Sequence, residues 1–147
     1  MSKSKTPKAT KPMSETARFL SDVLITAVEG GIGYWSVVGN YRTGIDWSKD
    51  TGEEREDTRR PASVEVYEMD EDAECWPGYK STGVPVSNKE IAKAFKLIMG
   101  KDEIKYCDRN WRKRMAAAYW AKDACDLDAG DADAVVQIAL FGEVVYG

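Results

Sequence analysis

The sequence contains no histidine among its 147 residues. Histidine is the side chain that most often acts as a general base near neutral pH, and it is a frequent ligand of zinc. Its absence removes the usual general base and most zinc arrangements. Catalysis by a pair of carboxylates acting as acid and base is still compatible with the composition, because aspartate and glutamate are abundant. A binding protein is therefore favoured over an enzyme, and no cofactor is expected.

Cysteine and long apolar runs are also scarce. The three cysteines, Cys75, Cys107 and Cys125, are odd in number and form no CxxC pair. This usage is typical of reduced thiols in a cytoplasmic protein. No apolar run approaches the ~20 residues of a membrane helix, and the first residues lack the apolar region of a signal peptide. We expect a cytoplasmic protein with no membrane partner.

Charge is distributed unevenly along the chain. The net charge of −4 gives no overall sign of nucleic-acid binding. Residues 46–74 nevertheless carry twelve acids against four bases, whereas residues 87–122 carry ten bases against four acids. Two tryptophans, Trp111 and Trp120, lie within the basic segment. This segment either binds nucleic acid or balances the acidic segment, within one chain or in a homo-oligomer.

The most structured pattern spans residues 14–42. Apolar residues at helical spacing predict a helix over residues 14–29, with Ser14 as N-cap and Gly30 in a left-handed position after the last turn. An alternating strand over residues 34–42 follows, in which Trp35 and Val37 share one face. The order of helix, glycines and strand is the reverse of a phosphate-binding loop.

Residues 30–35, which we name the glycine corner, have two interpretations. In the first, the glycines end the helix and admit the strand. In the second, they let a ligand approach the backbone beside an aromatic wall, and arginines hold its phosphate. The candidate ligand-binding residues are Glu29, Gly31, Gly33, Tyr34, Trp35, Arg109, Arg112 and Arg114.

The remaining chain predicts further helices and one more strand. Residues 62–69 alternate as a strand that pairs antiparallel with 34–42, and Ser87 to Glu90 is a capping box that opens a helix. Two more helices are expected, over about 109–125 and from near Asp131. The predicted fold is α+β, with a small antiparallel sheet of two to four strands packed against about four helices. Residues 1–13 are predicted to be a disordered basic tail, 43–61 a polar loop, and 14–147 a single domain.

Aspartates near the last helix raise the question of a metal site. Asp123, Asp126, Asp128, Asp131 and Asp133 could hold Mg²⁺, but their spacing misses the calcium-loop pattern. Capping of the helix N-terminus accounts for them better. No metal site is therefore predicted.

Two segments resemble small uncharacterised proteins of bacteriophages and mobile elements. They are DVLITAVEGGIGYW over residues 22–35 and DADAVVQIALFGEVVYG over 131–147, about 31 residues together. The resemblance carries no established activity or catalytic residues. It implies a small accessory protein in the host cytoplasm, where such proteins commonly bind a host protein, nucleic acid or a nucleotide signal of host defence.

Three functional hypotheses follow. The first is a non-enzymatic accessory protein that sequesters a nucleotide-like signal or a host factor, for example in counter-defence. The second is a nucleic-acid-binding protein that uses the basic segment 87–122. The third is a carboxylate- and Mg²⁺-dependent enzyme acting on a nucleotide.

Overall fold

A computed structural model of the chain describes residues 13–43, 60–73 and 78–147. Within these ranges the elements are α1 (Glu15–Gly30), a 3-10 turn (Ile32–Tyr34), β1 (Ser36–Arg42), β2 (Ser63–Asp70), β3 (Gly78–Tyr79), β4 (Val84–Ser87), α2 (Asn88–Ile98), α3 (Arg109–Ala121) and α4 (Ala129–Phe141). They confirm the predicted α+β class. The predicted tail and most of the predicted polar loop lie outside the described residues, and the single-domain assignment stays a prediction.

The sheet is antiparallel and centres on β2. β1 pairs with one edge of β2, while β4 and β3 pair with the other edge. Val64 and Val66 are buried, as their alternation predicts, and they join the hydrophobic core with the helices. The predicted antiparallel pairing of the first two strands is confirmed.

The start of β1 differs from the prediction. Trp35 ends the 3-10 turn with irregular backbone angles, and the strand begins at Ser36 rather than Tyr34. Trp35 and Ser36 are both buried, whereas Val37 is exposed. The predicted shared face of Trp35 and Val37 is therefore wrong, because the alternation of a strand does not extend back into a turn.

Two helices begin at their predicted capping residues, and α3 is shorter than predicted. Ser14 accepts a hydrogen bond from the Ala17 N–H at 3.1 Å, and the capping box at Ser87 is formed, so both predicted starts are confirmed. α3 ends at Ala121 rather than near residue 125, since Lys122 adopts a left-handed φ of 53°. Among the described helices, none combines the length and apolar character needed to cross a membrane.

The predicted left-handed Gly30 is also wrong. α1 continues through Gly30, and the capping residue Gly31 has a φ of −113°, because the chain enters the 3-10 turn directly. Glycine is needed at 31 for another reason. A Cβ there would lie 2.6 Å from the Ala129 carbonyl oxygen and 3.1 Å from the Asp133 Cβ. The end of α1 thus meets the start of α4 at a distance that only glycine permits.

Gly31→Ala should destabilise the protein, because the backbone of Ala129 cannot move aside without shifting α4. We expect a loss of about 1–3 kcal/mol in the free energy of unfolding, as for overpacked sites. Urea unfolding followed by circular dichroism measures it. The matched control is Gly33→Ala, because a Cβ at Gly33 meets nothing within 4 Å. Equal stability of the two variants would contradict the close contact.

Candidate functional site

The first turn of α4 carries two buried carboxylates, those of Asp131 and Asp133. The turn is fixed by Asp128, whose Oδ1 accepts a hydrogen bond from the Asp131 N–H at 2.7 Å. Asp131 reciprocates, since its Oδ2 accepts from the Asp128 N–H at 3.1 Å. This capping box confirms the predicted capping role of these two aspartates. Because Asp131 and Asp133 are two positions apart, they face different neighbours.

The Asp133 carboxylate holds the glycine corner. Its Oδ2 accepts a hydrogen bond from the Tyr34 hydroxyl at 2.8 Å. Its Oδ1 accepts from the Trp35 indole N–H at 2.8 Å and from the Gln137 amide at 3.0 Å. Burial, followed by the hydrogen bond and the charge of Asp133, raises the pKa of Tyr34 to about 12. Tyr34 is therefore a protonated donor at neutral pH.

The segment after α4 folds back onto this corner. We name residues 143–147 the strap. The Gln137 Oε1 accepts hydrogen bonds from the Val145 and Tyr146 N–H groups, both at 2.8 Å, and the Gln137 Nε2 donates to the Tyr146 carbonyl at 3.1 Å. The Tyr146 ring stacks on Trp35 with ring centroids 5.0 Å apart and planes 6° from parallel. The Tyr146 hydroxyl donates to Glu68. Trp35 is consequently only 1% exposed.

Asp131 binds α3 on the other side of the same turn. Arg114 forms a bidentate ion pair with it at 2.7 and 2.8 Å, and the Trp111 indole N–H donates to Oδ1 at 2.9 Å. Burial raises the pKa of Asp131, but the hydrogen bonds from Arg114, the Asp128 N–H and Trp111 outweigh it. The pKa therefore lies below the usual range of aspartate.

The other predicted arginines are in different surroundings. The Arg112 guanidinium donates to the carbonyl oxygens of Leu97, Ile98, Gly100 and Asp102 at 2.7–3.0 Å. It thereby satisfies the C-terminal end of α2, where free carbonyls and the helix dipole favour a cation. Arg109 is exposed on α3.

Four of the eight predicted ligand-binding residues converge on one helix turn from two directions. Tyr34 and Trp35 reach Asp133, whereas Arg114 reaches Asp131. Gly31 packs against the same turn. Gly33 and Glu29 are exposed, and the Glu29 Oε1 accepts a hydrogen bond from the Tyr41 hydroxyl at 3.3 Å. The ligand-binding role of these residues stays a prediction, with Arg112 and Arg114 already bound to partners in the chain.

Sequence reasoning missed Gln137 and Tyr146, and it assigned Asp133 only to capping. One feature of the sequence indicates that Asp133 and Gln137 act together. Asp133 and Gln137 are polar residues four apart in an otherwise apolar stretch of α4, a spacing that puts them on one face. Two buried polar side chains on a core-facing helix require hydrogen-bond partners.

An open cleft of about 480 Å³ lies between the α2–α3 connection and the start of the strap. Its lining includes Glu103, Lys105, Arg112, Glu143 and Cys107. The charges are mixed, and Arg112 is engaged by the carbonyls at the end of α2. Burial raises the pKa of the Cys107 thiol, so the reactive thiolate is disfavoured at neutral pH. The cleft supplies no activated nucleophile from this cysteine.

Comparisons with known proteins find no matching family model, no matching curated protein and no matching solved structure. Within the ranges that the structure describes, no group of three or more cysteine, aspartate or glutamate side chains is placed to hold a metal ion. The Mg²⁺-dependent enzyme stays a hypothesis.

Asp133→Asn should destabilise the corner. An asparagine amide keeps one acceptor oxygen, so its N–H₂ group faces either the Tyr34 hydroxyl or the N–H donors of Trp35 and Gln137, and at least one hydrogen bond to the carboxylate is lost. We expect a loss of about 1–3 kcal/mol in the free energy of unfolding. Urea unfolding measures the loss, with the exposed Asp126→Asn as the control. Identical stability of the two variants would show that the Asp133 contacts contribute nothing.

The ion pair of Asp131 predicts a pH dependence. A lowered folded-state pKa gives stability that is present above the unfolded value, near 3.9, and is lost as pH falls through the folded value. The stability difference between wild type and Asp131→Asn should therefore be constant from about pH 7 to 5 and shrink below about pH 4. Urea unfolding across this range tests it. A stability difference between the two proteins that grows toward low pH would contradict the lowered pKa of Asp131.

Proposed function

We propose that this protein is a non-enzymatic accessory protein that binds single-stranded nucleic acid through α3. The observation that carries the proposal is Trp120, whose side chain is 72% exposed on a helix with four bases and no acid. A large exposed aromatic residue amid cations is the combination that binds bases by stacking and phosphates by charge.

Three exposed side chains of α3 form one row. Arg109, Lys113 and Trp120 are four and seven residues apart and fall within about 40° of each other around an ideal helix. All three are exposed. Ala116 and Ala117 lie between the cations and the indole and are too small to cover it. The row extends over roughly 16 Å, which is enough for several nucleotides.

Further cations reinforce this row. The Lys122 Nζ lies 3.6 Å from the Tyr119 ring centroid and 5.5 Å from that of Trp120, so a cation–π contact keeps a positive charge beside the indole. On α2, Lys89, Lys93 and Lys96 form an exposed row at helical spacing. The nearest acid before α3, Asp108, is an N-cap whose Oδ1 accepts from the Trp111 N–H at 2.7 Å.

The surroundings of the arginines support binding of a polyanion over binding of a nucleotide by these residues. Nucleotide binding by the cluster 109–114 needs guanidinium groups available for phosphate, and Arg112 and Arg114 are held by carbonyls and by Asp131. A polyanion can use Arg109 and Lys113 without breaking those contacts. The net charge of −4 then restricts binding to this local face. Cytoplasmic location and a homo-oligomeric state are part of the proposal.

A second candidate function is capture of a nucleotide-like ligand at the glycine corner, in a counter-defence role. Tyr34 favours it, because its ring is 52% exposed while its hydroxyl is fixed by Asp133. A ring held in one orientation at the surface can stack on a ligand at little entropic cost. Glu29 and Gly33 are exposed nearby in the chain. A host protein is the other partner considered for this corner.

Binding to a labelled oligothymidylate tests the first function. The affinity should fall as salt rises, and Arg109→Gln with Lys113→Gln should reduce the slope of log K against log salt by about 1.4, or 0.7 per phosphate contact. Trp120→Ala should cost about 1–3 kcal/mol of binding. Fluorescence anisotropy at several salt concentrations measures both.

The charge-matched control is Arg42→Gln, because Arg42 is an exposed cation on β1. Its slope should equal that of the wild-type protein. No binding at low salt, or equal affinity of wild type and Trp120→Ala, would overturn the α3 proposal.

A further inference from the structure

The strap places an aromatic ring and a peptide group of one residue against two buried side chains. The Tyr146 ring covers one face of Trp35, and the peptide groups of Tyr146 meet both ends of the Gln137 amide. The Gln137 Oε1 accepts from the Tyr146 N–H at 2.8 Å, while its Nε2 donates to the Tyr146 carbonyl at 3.1 Å. One residue therefore presents a planar ring, a donor and an acceptor to the same site.

A nucleobase presents the same three features. It has a π face that stacks on tryptophan, and its edges carry adjacent N–H donors and ring acceptors. A glutamine amide reads such a pair in bidentate fashion, as it does with adenine N6 and N7. Glu68 accepts a hydrogen bond from the Tyr146 hydroxyl, and a ribose hydroxyl is a donor of the same kind.

The side chains beneath the strap are fixed independently of it. Asp133 accepts hydrogen bonds from both the Trp35 indole and the Gln137 Nε2. Neither of these two contacts involves a residue of the strap. A site of preset geometry binds its ligand without the cost of ordering its own side chains.

The strap itself is a short peripheral segment. It follows Gly142, whose left-handed φ of 75° ends α4, and Val145 within it is 51% exposed. Tyr146 supplies its aromatic anchor through the stack on Trp35 and the hydrogen bond to Glu68. Val144 and Tyr146 are the strap residues that pack against the core, so local opening requires the loss of their contacts and leaves the helices intact.

We propose that Trp35, Gln137 and Glu68 form a nucleoside-binding slot, and that Tyr146 is an internal occupant that the nucleoside displaces. This inference rests on the second candidate function and is independent of the α3 surface. It assigns to the slot a base stacked on Trp35 in place of Tyr146, with its edge on Gln137 and a ribose hydroxyl on Glu68. Only molecules with an open strap bind the nucleoside, so the apparent affinity for the nucleoside equals the affinity of the open form multiplied by the fraction of molecules that are open.

Adenosine is the probe for this slot. Isothermal titration calorimetry should show that Tyr146→Ala binds adenosine at least tenfold more tightly than wild type, since the substitution uncovers Trp35 and removes the ring that anchors the strap over Gln137. N6,N6-dimethyladenosine keeps the ring but lacks the N6 donor, so the variant should bind it at least tenfold more weakly than adenosine. Tyr106→Ala is the matched control, because Tyr106 is exposed and outside the slot. Its affinity should equal that of wild type.

The outcomes separate the strap from the binding function. A folded Tyr146→Ala that binds no adenosine overturns both the slot and ligand capture at this corner. Equal adenosine affinity of wild type and Tyr146→Ala overturns the strap as an occupant but retains the binding function. If Tyr146→Ala does not fold, Tyr146→Phe keeps the stack and removes only the contact with Glu68. A several-fold gain in its affinity supports the proposal, and no gain overturns it.

Discussion

Two buried carboxylates in the first turn of α4 hold the surrounding elements in place. Asp133 binds the indole that precedes β1, and Asp131 binds an indole and a guanidinium of α3. Each carboxylate accepts a hydrogen bond from a tryptophan indole N–H, which is the only polar group of that side chain. A single turn therefore orients two large aromatic residues, Trp35 and Trp111, and links the start of β1 and α3 to α4.

The two carboxylates are stabilised by different means. Asp131 has a cation, Arg114, so its charge is paired where it is buried. Asp133 instead receives three hydrogen bonds from neutral groups, which satisfy a charge without bringing a second one into the interior. This difference matters for function. A carboxylate surrounded by neutral donors orients Trp35 and Gln137, which the strap contacts and which the proposed nucleoside slot includes.

Local signals in the sequence were sufficient for most elements and insufficient for the site. The capping box at Ser87 and the alternation of β2 depend on neighbours within a few residues, so the α+β class followed from them. Gly31 was predicted to let a ligand approach the backbone, yet its position is set by close contact with Ala129, almost a hundred positions away. Tyr146 stacks on Trp35 from more than a hundred positions away, and even Arg114 and Asp131 lie 17 positions apart on different helices. Such pairs arise only when helices meet, which periodicity cannot specify.

Hydrogen exchange of the tryptophan indole protons, followed by ¹H–¹⁵N NMR, tests the role of Asp133 most directly. The Trp35 N–H is buried and bonded to Asp133, whereas Trp120 is largely exposed. The Trp35 proton should exchange with deuterium as slowly as the core amides of α4, and the Trp120 proton within the dead time. Exchange of Trp35 at the rate of Trp120 would contradict the central place given to this carboxylate.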